Sequence, residues 1–254
     1  AKNFDSNFVL SNHPQLIVAE ADEFDRSFLT LHPSTAIITA MDADHLDIYG
    51  DKESLVEAFQ QFTDQVTHTI IVEEKIADKI HHARKITYGI ENSSDYYAYN
   101  INLQPNEAIF SLHTPFKELE QLHLTANGLY NVLNATAAIA AICEETRFNY
   151  QVNTILNDDL IKAKISSFSG VKRRFDYITD RPDFIYIDDY AHHPEEMRSF
   201  LTTVRQIYPA KKTCGVFQPH LYSRTRDFAC QFAEVLEILD QIIQTLESKR
   251  FGFE

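Results

Sequence analysis

A chain of 254 residues with 44% hydrophobic and 24% charged side chains can bury a core in one or two domains and is too apolar to be disordered. Its 23 basic against 37 acidic residues, a formal charge of −14, argue against nucleic acid, whose phosphates call for a basic surface. The apolar runs fall far short of a membrane span, no basic-then-apolar leader opens the chain, and three scattered cysteines lack metal spacing, so a cytoplasmic protein with no membrane partner is expected.

"QLIVAEADEF" (15–24) reads as an apolar strand that ends in carboxylates. "TAIITAMDADHLDIYG" (35–50) repeats the form, with Asp42, Asp44, His45 and Asp47 after the β-branched run. Polar residues at strand C-termini are where an α/β sheet presents its chemistry. Apolar residues at Leu55, Ala58, Phe59, Phe62 and Val66 follow at helical spacing. "HTIIVEEKIADKIHHA" reads as a further strand and helix.

From Lys85 to His123 polar and apolar residues alternate between turn signals, which predicts an antiparallel meander. "NVLNATAAIAAICEET" is a long alanine-rich helix opened after Asn127 and Gly128, and "NDDLIKAKISSF" a second one capped at Asn157 or Asp158. "GVKRRFDYITDRPDF" looks like a junction. Beyond it, the segments from Phe184 and from Lys211 each run strand, charged loop, helix, the beginning of a Rossmann-like domain. The expected division is 1–178 and 179–254, near Thr179.

Five groups of residues have functional readings, each beside an ordinary one. Glu20, Asp22, Glu23 and Asp25, with Asp42, Asp44, His45 and Asp47, form an oxygen-rich set suited to Mg²⁺ or Mn²⁺, or else helix caps and solvated loop charge. Asp188, Asp189, His192 and His193 line a loop before Pro194, or simply start a helix there. Lys172, Arg173 and Arg174 aim at phosphate across a domain junction, or form a solvated basic turn. Asn131 and Asn134 read a nucleotide edge, or cap their helix. In "VFQPHLYSRTRDF", Pro219 breaks a strand before His220, Arg224 and Arg226, cations that hold an anion or pair with surface carboxylates.

The ordered series "EADEFDRSF", "DADHLDIYG", "NVLNATAA", "GVKRRFD", "DDYAHHPEE" and "FQPHLYSRTRDF" resembles the Mur ligase family from about Ala19 to Asp240. The resemblance implies an α/β central ATPase-type domain with an antiparallel meander, followed by a partial Rossmann-like C-terminal domain. It implies a ligase of peptidoglycan precursor synthesis that uses ATP and Mg²⁺ to join L-alanine to UDP-N-acetylmuramate through an acyl phosphate. A related ligase acting on murein tripeptide in cell-wall recycling ranks second, and an inactive remnant or a metal-dependent hydrolase are the other classes. Matched position by position, Glu20 and His45 would bind magnesium, and Asn131 and Asn134 would contact the nucleotide. Arg174 would hold phosphate, and Asp189 the ATP ribose. Tyr190, His192, His220, Arg224 and Arg226 would face the muramoyl substrate and the amino acid.

Three features depart from the family pattern. Leu221 stands where related chains often carry arginine, and Phe59 where several sister ligases carry a carbamylated lysine. The family's phosphate loop and UDP-binding domain would precede residue 1, so these 254 residues alone are expected not to turn over.

Overall fold

The computed structural model describes residues 2–4, 6, 8–10, 16–41, 49–90, 93–148, 157–219 and 222–244. Two short parallel strands, β1 (Thr35–Ile38) and β2 (Thr69–Glu73), begin its main sheet, with Thr35 opposite Thr69 and Ile38 opposite Val72. Helix α1 (Lys52–Asp64) connects them and starts at Asp51, whose carboxylate accepts the Ser54 N–H at 2.7 Å. Its buried stripe Leu55, Ala58 and Phe62 packs with Ile70 and Val72 of β2, Ile38 of β1 and Phe28. Ile71, between the two β2 residues, points the other way, onto Tyr88, Tyr96, Ala137 and Ala140. Every residue of β2 is buried, which is why its centre, Ile70 to Val72, reads as a continuous apolar run.

The segment 16–23 forms no strand, against the expectation from "QLIVAEADEF", and Ile17 and Val18 are each 88% exposed. An apolar run becomes a strand only when a neighbour takes its backbone hydrogen bonds, and among the described residues β1 is the outer strand of the sheet. The helix expected after β2 is a short 3-10 stretch, Glu74–Lys79.

Strand β3 (Lys85–Gly89) lies parallel to β2, and β4 (Tyr96–Gln104) lies parallel to β3 through Tyr88 opposite Tyr96 and Gly89 opposite Tyr97. Because β4 starts beside the end of β3 and then runs on, a short loop joins them without a helical crossover. The antiparallel meander therefore begins at β4 and continues through β5 (Glu107–His113) and β6 (Glu118–Leu124); it does not include Lys85–Gly89. Alternation in "KITYGI" reports the partial exposure of the first residues of β3, not the direction of its neighbours.

Helices α2 (Leu129–Phe148) and α3 (Asp158–Ser167) cover the meander, where Phe110, Leu112 and Leu122 meet Val132, Ile139 and Ile161. Asn157 is the α3 cap, accepting the Leu160 N–H at 2.7 Å. Buried charge pins α2 to the sheet: Tyr96 donates its hydroxyl to Glu144 at 2.8 Å, Arg84 and Arg147 each lie 3.6 Å from the same carboxylate, and the Thr35 hydroxyl donates to Glu145.

A linker leads into the antiparallel pair β7 (Asp176–Asp180) and β8 (Ile185–Asp188), then α4 (Pro194–Ile207), β9 (Cys214–Phe217), α5 (Tyr222–Asp227), α6 (Ala229–Leu236) and β10 (Gln241–Gln244). β9 and β10 pair in parallel across the intervening helices, a βαβ arrangement, while β8 pairs with β7. Met197 and Leu201 of α4 meet Phe232 and Val235 of α6 in a separate core.

Candidate active-site cleft and hinge

A cleft of about 230 Å³ opens at the C-terminal end of β1. One wall is Thr39, Ala40 and Met41, continuing β1; another is Ala21, Glu23 and Phe28; Phe59 and Phe62 of α1 form its apolar side, and His193 and Glu196 close it from the C-terminal unit. Tyr49 ties these segments together by donating its hydroxyl to the Glu23 carbonyl at 2.6 Å, and the Arg26 guanidinium lies 5.2 Å from the centre of the Tyr49 ring. Burial, then the nearby Glu23 carboxylate, raises the Tyr49 hydroxyl above its ordinary value, so it stays a neutral donor.

Glu20, the expected metal ligand, is exposed and does not itself line this cleft, although the next residue, Ala21, does. Its expected partner His45 lies outside the described residues, as do Asp42, Asp44 and Asp47. Among the described residues no three His, Cys, Asp or Glu side chains converge as a metal site. Phe59 lines the cleft, and its ring packs 5.3 Å from Phe28.

Behind the cleft a second constellation surrounds the linker. Gly170, Arg173 and Phe175 have φ of 82°, 60° and 47°. For the two side-chain-bearing residues this left-handed conformation costs about 1–3 kcal/mol each and persists only when neighbours over-determine it. Those neighbours are identifiable. Asp176 accepts the Arg173 N–H at 3.1 Å, the Arg173 carbonyl accepts the Tyr190 N–H at 2.7 Å, and Asp189 accepts the Phe175 N–H at 2.7 Å.

Asp189 is the centre of the arrangement. Its Oδ2 receives the Phe175 N–H and the Tyr130 hydroxyl, the latter at 3.3 Å, and its Oδ1 receives the Ala191 N–H at 2.8 Å. Burial raises its carboxyl above the usual range, outweighing the two N–H donors, Arg174 and Tyr130. Arg174 pairs with Glu196 at 3.2 Å, and Glu196 also accepts the backbone N–H groups of His192 and His193 at the start of α4. For Glu196 burial is the largest influence and pushes upward, yet the His192 N–H, Arg174 and the His192 ring together hold its carboxyl below the ordinary value.

Arg174, Asp189, Tyr190 and His192 thus share one connected network, with Tyr190 stacked under the Arg173 guanidinium at 4.6 Å and the His192 Nδ1 at 2.9 Å from the Tyr190 carbonyl. Asn131 adjoins it: its amide donates to the Asn127 carbonyl, and the Asn127 amide donates to Tyr177 at 2.8 Å. Asn134, one helical turn on, faces solvent. Two residues absent from the sequence-based list complete the site, Tyr130 and Glu196. Glu196 could have been found from the helix start it occupies, two residues after Pro194; Tyr130 carries no such signal.

The turn between α5 and α6 approaches this network through Phe228, whose ring meets that of His193 edge-on at 4.8 Å. Arg224 is buried on α5, and Arg226 is exposed with its guanidinium 2.7 Å from Asp227. His220 and Leu221 lie outside the described residues.

Comparison with known proteins agrees with this architecture. The Mur ligase middle domain matches residues 6–142, and the Mur ligase glutamate ligase domain matches residues 173–252. The chain is 39% identical over 249 residues to a UDP-N-acetylmuramate–L-alanine ligase of Cytophaga hutchinsonii and 40% identical over 242 residues to that of Christiangramia forsetii. Each alignment takes in 95% of this chain, and 52% and 51% of the respective relative, so the chain spans about half the length of the curated relatives it matches. The crystal structure of UDP-N-acetylmuramate–alanine ligase from Thermotoga maritima superposes with a TM-score of 0.67 at 26% identity, covering 86% of this chain and 47% of that one. With the middle-domain match alone extending over more than half of its residues, the chain belongs to the Mur ligase family.

Proposed function

We propose that this chain is the central and C-terminal part of an ATP-dependent ligase that joins L-alanine to UDP-N-acetylmuramate in the cytoplasm, with residues 1–178 as the central domain and 179–254 as the C-terminal one. The observation that carries this reading is the gathering of Arg174, Asp189, Tyr190 and His192 at the junction between the two units, beside the N-terminus of α2. In the reaction the γ-phosphoryl group of ATP passes to the muramoyl carboxylate, releasing ADP, and the neutral amine of alanine then displaces phosphate to form the amide. Charge accumulates where two anions meet, and a guanidinium already positioned there stabilises it more than one recruited from solvent. Arg174 would serve this purpose, exchanging part of its contact with Glu196 for a phosphate oxygen. Asp189 would hold the ribose and Asn131 and Asn134 the base. His192 and Tyr190, with His220, Arg224 and Arg226, would face the acceptor.

Mg²⁺, where bound, lowers the charge repulsion between the phosphates. Glu20 supplies a hard, exposed carboxylate of the kind magnesium prefers, and His45 is its proposed partner. The test is phosphate release by the protein in which this chain resides. Release that requires ATP, Mg²⁺, UDP-N-acetylmuramate and L-alanine together is expected; release independent of the amino acid would refute the reading. Arg174→Ala should lower turnover at least a hundredfold, in line with removal of a group that stabilises developing charge.

A further inference from the structure

The Asp189 carboxylate presents two oxygens, and the hydrogen bonds they accept are unequal. Oδ1 holds one donor, the Ala191 N–H, while Oδ2 holds two, the Phe175 N–H at 2.7 Å and the Tyr130 hydroxyl at 3.3 Å. A vicinal diol is captured most firmly with one hydroxyl on each carboxylate oxygen. On Oδ1 an acceptor site remains for this. On Oδ2 the long bond from Tyr130 occupies it.

We propose that Tyr130 is a displaceable stand-in for one ribose hydroxyl, holding Asp189 in position and the linker closed until a nucleotide replaces it. This inference rests on the reading that Asp189 faces the ribose. Tyr130 can do this because of where its backbone starts. Its ring lies against Gly128, whose φ of +98° turns the chain into α2, and the hydroxyl then spans from the central unit to the C-terminal one. The same Oδ2 pins Phe175 in its left-handed conformation, so displacement of Tyr130 alters the hydrogen bonding of the residue on which the linker turns. Nucleotide binding and linker conformation are thereby joined through one oxygen atom.

Mg-ATP and its 2′,3′-dideoxy analogue, titrated calorimetrically into the wild-type protein and into Tyr130→Phe, test the proposal. The phenylalanine keeps the ring on Gly128 and removes only the competing hydroxyl. Wild type should bind ATP more tightly than the dideoxy compound. The variant should bind ATP about two- to tenfold more tightly than wild type, the span of one ordinary hydrogen bond, with the dideoxy affinity unchanged. An ATP affinity equal to or weaker than wild type, with the preference for ATP over the dideoxy compound intact, overturns the stand-in role and leaves the ribose reading standing. No preference for ATP in wild type overturns the ribose reading itself, and the stand-in role with it. Trypsin cleavage at Lys172, Arg173 and Arg174, located by mass spectrometry without nucleotide, reads the linker directly. It should be faster in Tyr130→Phe, and a wild-type rate there overturns the closure of the linker by Tyr130.

Discussion

Replacing Gly128 by alanine probes the seat of Tyr130, and Gly50 supplies the control. Both glycines have left-handed backbone, φ +98° and +85°, so both substitutions carry the same conformational penalty of about 1–2 kcal/mol. A narrower unfolded ensemble offsets it by about 0.4–1 kcal/mol. At Gly50 nothing lies within 4 Å of the new methyl group, and the net loss should stay near 1 kcal/mol or below by the same arithmetic. At Gly128 the methyl group would lie 2.6 Å from Cε1 of Tyr130, so the ring must retreat by most of an ångström. That movement breaks the hydroxyl's bond to Asp189, a loss of about 0.5–1.5 kcal/mol, with some further loss of packing. Gly128→Ala should therefore exceed Gly50→Ala by roughly 1.5 kcal/mol, which separates their urea midpoints by about 0.5–1 M. Far-UV circular dichroism across a urea series reads this. In the Tyr130→Ala background the excess should vanish, since the obstructing ring is gone. Equal losses at the two glycines, or an excess that survives in the Tyr130→Ala background, would refute the packing of Tyr130 on Gly128.

Two further outcomes follow from buried or paired charge. The Glu196 carboxyl is held below its ordinary value of 4.5, so the stability it contributes is complete above that pH and is lost as pH falls through the folded-state value. The stability difference between wild type and Glu196→Gln should close as pH falls below 4.5; a difference that grows across that acidic range would contradict the sign. Arg84→Ala removes one of two guanidiniums beside Glu144, whose side chain is 1% exposed, and also a 2.9 Å hydrogen bond to His68. Since Arg147 remains, the expected loss is about 2–3 kcal/mol, below the usual range for stranding a buried charge. It should shrink to about half in the Glu144→Gln background, a coupling that a double-mutant urea series measures.

Where a feature depends on neighbours within a few positions, the sequence alone was sufficient. The stripe Leu55, Ala58, Phe62 specified α1, the pair Asn157 and Asp158 marked the start of α3, and Pro194 marked the start of α4, because caps and helical period are set by local backbone geometry. The apolar residues Ile70 to Val72 identified a strand, and the fold decided that it is covered on both faces. The order of six short motifs identified the family. What only the tertiary structure decided was partnership. "QLIVAEADEF" and "TAIITA" read alike, yet only the second has a strand beside it, and "KITYGI" has parallel neighbours that its alternation does not encode. Arg224 is buried while Arg226 pairs with Asp227, although the two are separated by one residue. Tyr130 shows the same limit most clearly. Nothing local distinguishes it from the other tyrosines; it matters because the fold brings Asp189, 59 positions away in the chain, to its hydroxyl. Periodicity and composition report which side of an element is buried, while the identity of the group it is buried against is a property of the assembled chain.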